Sequence, residues 1–161
     1  MHDDDPDVVN AMLRFMYAFD FDDDSDHDHN DESRMAPIVF DVHVNVVADK
    51  YDMTALANLA AAKFGRRAES EWRTPAFADA AELVYTLPSN PSNIILRNVI
   101  TKVACAQANA LYTEDIGARF REVAGSVPQL GSELAKELAN LHKSCHQPRV
   151  SNLDDLFLDD E

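Results

Sequence analysis

The residues best placed to do chemistry form one acidic run. Asp20, Asp22, Asp24, Asp26 and Asp28 alternate along the chain, with His27 and His29 between them. Alternating aspartates are what a calcium loop of the EF-hand kind presents, but that loop also needs glycine at its sixth position and glutamate at its twelfth. Counted from Asp20 those positions hold Ser25 and Asp31; counted from Asp22 they hold His27 and Ser33. Neither register supplies the glycine that makes the turn. The weak divalent-metal ligands of the run are Asp22, Asp24, Asp26, His27, Asp28 and His29. A metal-binding protein built on residues 20–32 is the alternative functional reading. Calcium should bind there no tighter than about millimolar, the weak end of the protein range. Calorimetry checks this, and a micromolar affinity would reverse it.

Other chemistry is poorly served. No Gly-x-Ser-x-Gly element and no cysteine–histidine signature occurs, so no nucleophilic triad is legible. His2, His27, His29, His142 and His146 lie toward the two ends, and His43 reads as an exposed helix residue. Cys105 and Cys145 sit in helical patterns without metal-ligand spacing, which fits a buried helix thiol and a surface thiol in a reducing compartment. Arg66, Arg67 and Arg73 beside Trp72 could suggest a nucleic-acid patch, but Glu69 and Glu71 nearly cancel them. The expectation is a protein with no catalytic site and no cofactor.

The formal net charge of −15 is unevenly placed. Residues 1–32 hold 12 acids and one base, Arg14; residues 154–161 hold 5 acids and no base; residues 33–153 balance 12 acids against 13 bases. Nucleic acid is therefore an unsuitable partner, since phosphate recognition needs a basic surface. No apolar run is long enough to span a bilayer. The first residues, Met-His-Asp-Asp-Asp, are unlike a signal peptide. A cytoplasmic or nuclear location follows as an expectation.

The elements that would position these groups are helices. Only 4 glycines occur in 161 residues, and alanine is abundant after Ala55. Asp5-Pro6 can cap and open a helix ending near Phe19. Its apolar residues Val8, Val9, Met12, Leu13, Met16 and Tyr17 recur at helical spacing. Residues 20–36 read as a disordered acidic insert in which nothing can pack. Residues 38–51 are ambiguous: Phe40, Val42, Val44 and Val46 alternate as in a strand, whereas Phe40, Val44, Val47, Ala48 and Tyr51 recur as in a helix. A further helix runs from Asp52 or Thr54 to Gly65. Residues 65–74 read as a polar linker. Helices are then expected at about 75–87, 92–111 (the longest), 114–124 and 130–142.

The tail alternates acidic and bulky apolar residues, and Leu153, Leu156 and Phe157 could form a small docking motif. Residues 146–161 are otherwise expected to be disordered.

Two segments resemble the BTB/POZ family, in the form seen in filamentous fungi. One is DDDPDVVNAMLRFMYAFDFD (residues 3–22), with Leu13 and Tyr17 in a Leu-x-x-x-Tyr element. The other is VFDVHVNVVADKYDMTALANLAAAKF (residues 39–64), where Ala48-Asp49-Lys50-Tyr51-Asp52 precedes Leu56 and Leu59. The resemblance implies that residues 38–51 are helical. It implies an all-α arrangement in which residues 1–64 form the C-terminal part of such a domain and residues 75–145 a helical extension. The family's sheet-bearing N-terminal half, with most of its dimer surface, has no counterpart here.

The function it implies is a non-catalytic adaptor or scaffold. Its partner would be a second copy, a BTB-type protein or a cullin-type protein. Leu13, Tyr17, Leu153, Leu156 and Phe157 are the candidate contact residues. The expected core is Val9, Leu13, Met16, Tyr17, Val44, Val47, Tyr51, Leu56, Leu59, Phe64, Val84, Leu96, Val99, Ile100, Val103, Phe120, Leu134 and Leu138. On that reading Tyr51→Ala would cost about 3–5 kcal/mol.

Overall fold

The computed structural model describes residues 5–21, 35–88 and 91–145. Among these residues the fold is all-α, with no strand. The helices are α1 (Pro6–Ala18), α2 (Pro37–Lys50), α3 (Thr54–Glu71), α4 (Pro75–Thr86), α5 (Pro91–Ala106), α6 (Ala108–Thr113), α7 (Ala118–Ser126) and α8 (Pro128–Cys145), with a 3₁₀ turn at Asp115–Gly117 before α7.

Proline opens α1, α2, α4, α5 and α8. Its missing N–H costs nothing in a first turn, and its fixed φ suits helix entry. Asp5 caps α1 by accepting the Asp7 backbone N–H at 2.8 Å. Between α2 and α3 the chain reverses in a Schellman motif. Asp52 takes a left-handed φ of 57°, Met53 N–H donates to the Ala48 carbonyl at 2.8 Å, and Asp52 N–H donates to that of Asp49 at 3.2 Å.

The apolar interior forms two clusters. The larger joins Ile38 and Val42 of α2 and Phe64 of α3 to Phe77 and Val84 of α4, Leu96 and Ile100 of α5, Leu111 of α6, Phe120 of α7 and Leu130 of α8. The smaller joins Val8, Met12 and Phe15 of α1 to Val44 and Val47 of α2, Leu56 and Ala60 of α3, and Phe21. Helix α2 feeds both clusters from opposite faces. Its valines and Ile38 are spread around the helix because both faces meet apolar neighbours, so its side chains give no single stripe and can be read at either period.

Several expectations need correction. Residues 65–71 continue α3 rather than beginning a linker; Ala68 and Trp72 are buried in the larger cluster. Gly65 sits mid-helix, where the lost propensity is outweighed by the packing on either side. Arg67 pairs with Asp41 of α2, and the Arg73 guanidinium lies 4.1 Å from the Trp72 ring centre. The single helix expected at 92–111 breaks at Gln107. The break coincides with burial of Leu111, and Arg121 Nη1 donates to the carbonyls of Leu111 (2.6 Å) and Glu114 (2.8 Å) beyond it. The helices α3 and α8, of 18 residues each, are the longest among the described residues.

Phe21, placed by sequence in an insert where nothing packs, is fully buried. Of the expected core, Leu13, Met16, Tyr17 and Leu138 are exposed. Val9, Tyr51, Leu59, Val99 and Val103 are half-buried, and the other nine are buried. With Tyr51 only half-buried, truncating it should cost less than the 3–5 kcal/mol typical of a fully enclosed aromatic.

Candidate functional site

Helix α1 packs chiefly on α2. Its inward residues are Val8, Ala11, Met12 and Phe15, at the i, i+3, i+4, i+7 spacing of one helical face. A second apolar row, Leu13, Met16 and Tyr17, occupies the outward half, and Phe19 follows at the left-handed C-cap with φ 57°. Leu13 is 43% exposed, Met16 58%, Tyr17 88% and Phe19 81%. The Phe19 ring meets that of Phe15 edge-on, at 6.2 Å between centres. Along this face lies a recess of ≈ 490 Å³ whose lining includes Asn10, Leu13, Arg14, Tyr17, Ala18 and Asp20.

The segment leaving α1 is held to the body. The Asp20 carboxylate accepts the Phe21 N–H at 2.8 Å and pairs with Lys63 of α3 at 3.0 Å. Lys63 also donates to the Phe21 carbonyl and sits 4.2 Å from the centre of its ring. The hydrogen bond from Lys63 holds the Asp20 carboxyl below its ordinary value. Phe21 and Lys63 thus fix the end of α1 while its outer face stays open to solvent.

Polar contacts also join α2 to α3. Asp41 is fully buried; its Oδ2 accepts from Arg67 Nε at 3.0 Å, while Oδ1 has no hydrogen-bond partner among the described residues. Asn45, also buried, donates to the Ala57 carbonyl at 2.9 Å. Burial pushes the Asp41 carboxyl up to about 7, against the pull of the Lys63 and Arg66 charges, with Glu71 adding to the rise. The Arg67 hydrogen bond favours the ionised form and limits the effect.

A carboxyl that keeps its proton when folded but loses it near pH 4 when unfolded makes the native state weaker as pH rises. The Asp41 contribution is complete below about pH 4 and is lost between there and about pH 7. Urea titrations should show wild type losing on the order of 2 kcal/mol more than Asp41→Asn across that window. Parallel pH profiles for the two proteins would show that Asp41 does not titrate there.

One surface cluster joins α4 and α7, where Arg119 pairs with Asp79 (2.8 Å), Glu82 (2.7 Å) and Glu122 (3.1 Å). His43 is half-buried, not exposed as its sequence context suggested, and burial pulls its imidazole below the ordinary value while Asp5 opposes this. Cys105 is buried, and burial, with a contribution from Glu137, pushes its thiol up, away from the reactive thiolate. Tyr85 Oη lies 2.5 Å from Glu133 Oε2, and burial raises its phenol above the ordinary value. Among the described residues no three His, Cys, Asp or Glu side chains group as metal ligands, and no helix is long and apolar enough to cross a membrane.

Of the contact residues expected from sequence, Leu13 and Tyr17 come together on the outer face of α1. Leu153, Leu156 and Phe157 lie outside the described residues, as do the metal candidates Asp22, Asp24, Asp26, His27, Asp28 and His29. Met16 and Phe19 join Leu13 and Tyr17 on the surface. Phe15, absent from the expected stripe, was the missing signal: it sets the inward phase with Val8 and Met12 and leaves 13, 16 and 17 outside. No protein-family model, curated protein or solved structure matches this chain.

Proposed function

We propose that the chain is a non-catalytic protein-interaction module, an adaptor or scaffold of the BTB/POZ type acting in the cytoplasm or nucleus, and that it contacts its partner through the outer face of α1. One observation carries this reading: Leu13 and Tyr17 are exposed and line one recess on the outer face of α1, while the inward face of the helix is used by the core. Scattered surface apolar residues are ordinary, but an exposed leucine and tyrosine sharing one recess are of the kind interfaces enrich. The inward anchoring of α1 through Phe15 and Phe21 keeps the face pre-formed, which lowers the ordering cost of binding.

The double variant Leu13→Ser/Tyr17→Ser tests it. Neither side chain is in the core, so stability by urea denaturation should stay within about 0.5 kcal/mol of wild type per substitution. Proteins retained from a cell extract by the immobilised wild-type chain should be lost from the variant. Recovery of the same proteins in the same amounts by both would refute the assignment to α1.

A further inference from the structure

We infer that α1, with Asp20 and Phe21 behind it, is a strap that opens as a unit from the α2–α3 face while the rest of the fold stays closed, and that Lys63 is its latch. The division of the core supports the strap. All four inward residues of α1, Val8, Ala11, Met12 and Phe15, lie in the smaller apolar cluster, and none lies in the larger one. Helices α2 and α3 feed both clusters. Lifting α1 therefore takes partners from Val44, Val47, Leu56 and Ala60 and leaves the larger cluster whole. An element that shares only a satellite cluster with the body opens at lower free energy than the whole fold. A helix of 13 residues is also marginal by itself in water, so the released strap melts rather than swinging as a rod.

Three contacts converge on one side chain at the end of the strap. Lys63 of α3 pairs with the Asp20 carboxylate at 3.0 Å, donates to the Phe21 carbonyl, and stands 4.2 Å from the centre of the Phe21 ring. Its side chain is only 12% exposed. An ammonium so enclosed has given up water for these partners and needs them, and all of them leave together when this segment lifts. Phe21 is itself fully buried, its ring centre 6.4 Å from that of Phe40 in α2. The strap is thus held along its length by apolar packing chiefly on α2, and at its end by a polar and aromatic contact to α3.

Opening would carry Leu13 and Tyr17 off the body and uncover an apolar face of α2 and α3. Any ligand of either surface shifts the strap by the difference in its affinity for the open and closed states. The strap stands on this packing alone and does not require that the outer face of α1 bind a partner.

Hydrogen exchange read by mass spectrometry on the full-length chain tests the device in three proteins: wild type, Lys63→Met and Phe77→Leu. In the wild type the slowest amides of α1 should exchange at least about tenfold faster than the slowest of α4 and α5. Phe77 lies in the larger cluster, which stays closed when the strap opens. Phe77→Leu should therefore speed α4 and α7 severalfold and leave α1 within about twofold of wild type. Lys63→Met keeps the length of the stem and removes the charge. It weakens the closed state against every open one, so it should speed α1 by about tenfold, the amides of Val9 to Met12 as much as those next to the latch. Equal slowest rates in α1 and α4, or an equal response of both to Phe77→Leu, would make the fold one cooperative unit and overturn the strap. Unchanged α1 exchange in Lys63→Met would overturn the latch. A response confined to the last turn of α1 would reduce Lys63 to a guard against fraying and overturn opening as a unit.

Discussion

Replacing Phe77 by alanine should lower the unfolding free energy by about 3–5 kcal/mol, the cost of truncating an enclosed aromatic. Phe77 is fully buried in α4, and its ring stacks on that of Phe120 in α7, with centres 5.7 Å apart and planes 19° from parallel. The pair fastens two elements that are far apart in the chain. Truncation removes both the buried area and the stacking partner, and the backbone of two packed helices limits how far the gap can close. Phe77→Leu keeps most of the volume and should cost about 1.5 kcal/mol or less. Urea denaturation followed by circular dichroism measures both. A loss below about 1 kcal/mol for the alanine variant would show that the α4–α7 contact relaxes freely.

Gly117→Ala should be comparably damaging, at about 3 kcal/mol or more, for a different reason. Gly117 has φ −86°, which any residue adopts, so no left-handed conformation is at stake. The obstacle is space: a Cβ there would lie closer than 3 Å to the carbonyl oxygen, carbonyl carbon and Cα of Leu111. Those atoms belong to the backbone of α6 and cannot swing aside as a side chain could. The variant must push the 3₁₀ turn away from α6, withdrawing the buried Leu111 or Phe120 from the core. Gly65→Ala is the matched control. Nothing lies within 4 Å of a Cβ at Gly65, in the middle of α3. There alanine should stabilise by about 0.5–1 kcal/mol, the usual helix-interior difference. Equal effects at the two glycines would contradict the packing of α6 against the turn.

The contrast between these glycines marks what sequence could say. Both stand in helix-rich stretches with similar neighbours, and only the approach of another segment separates them. Helix identity was legible because its signals are local: prolines at first turns, Asp5 at a cap, alanine-rich runs and few glycines. The smaller apolar patterns were legible where one face alone is buried, as in α4, whose Phe77, Ala81, Val84 and Tyr85 all reach the core.

Elsewhere the local signal was silent or misleading. In α1 two apolar rows coexist, and choosing between Val8-Met12-Phe15 and Leu13-Met16-Tyr17 requires knowing which side α2 occupies. The phase read from spacing placed Leu13, Met16 and Tyr17 inside; the structure turns them outward. In α2, burial on opposite faces erased the period that would have named it a helix. The stretch 65–74 looked like a linker because its charges were read as solvated, yet Arg67 reaches the buried Asp41 across 26 residues of chain.

By itself, the sequence determined that this chain is helical, where most helices start, and that its acidity is concentrated at the ends, because each of these depends on residues near one another in the chain. Only the tertiary structure decided which apolar face is spent on the core and which stays exposed. That choice depends on the area other helices can cover: α2 covers one side of α1, and α3 adds Leu56, Ala57 and Ala60 to the same apolar cluster.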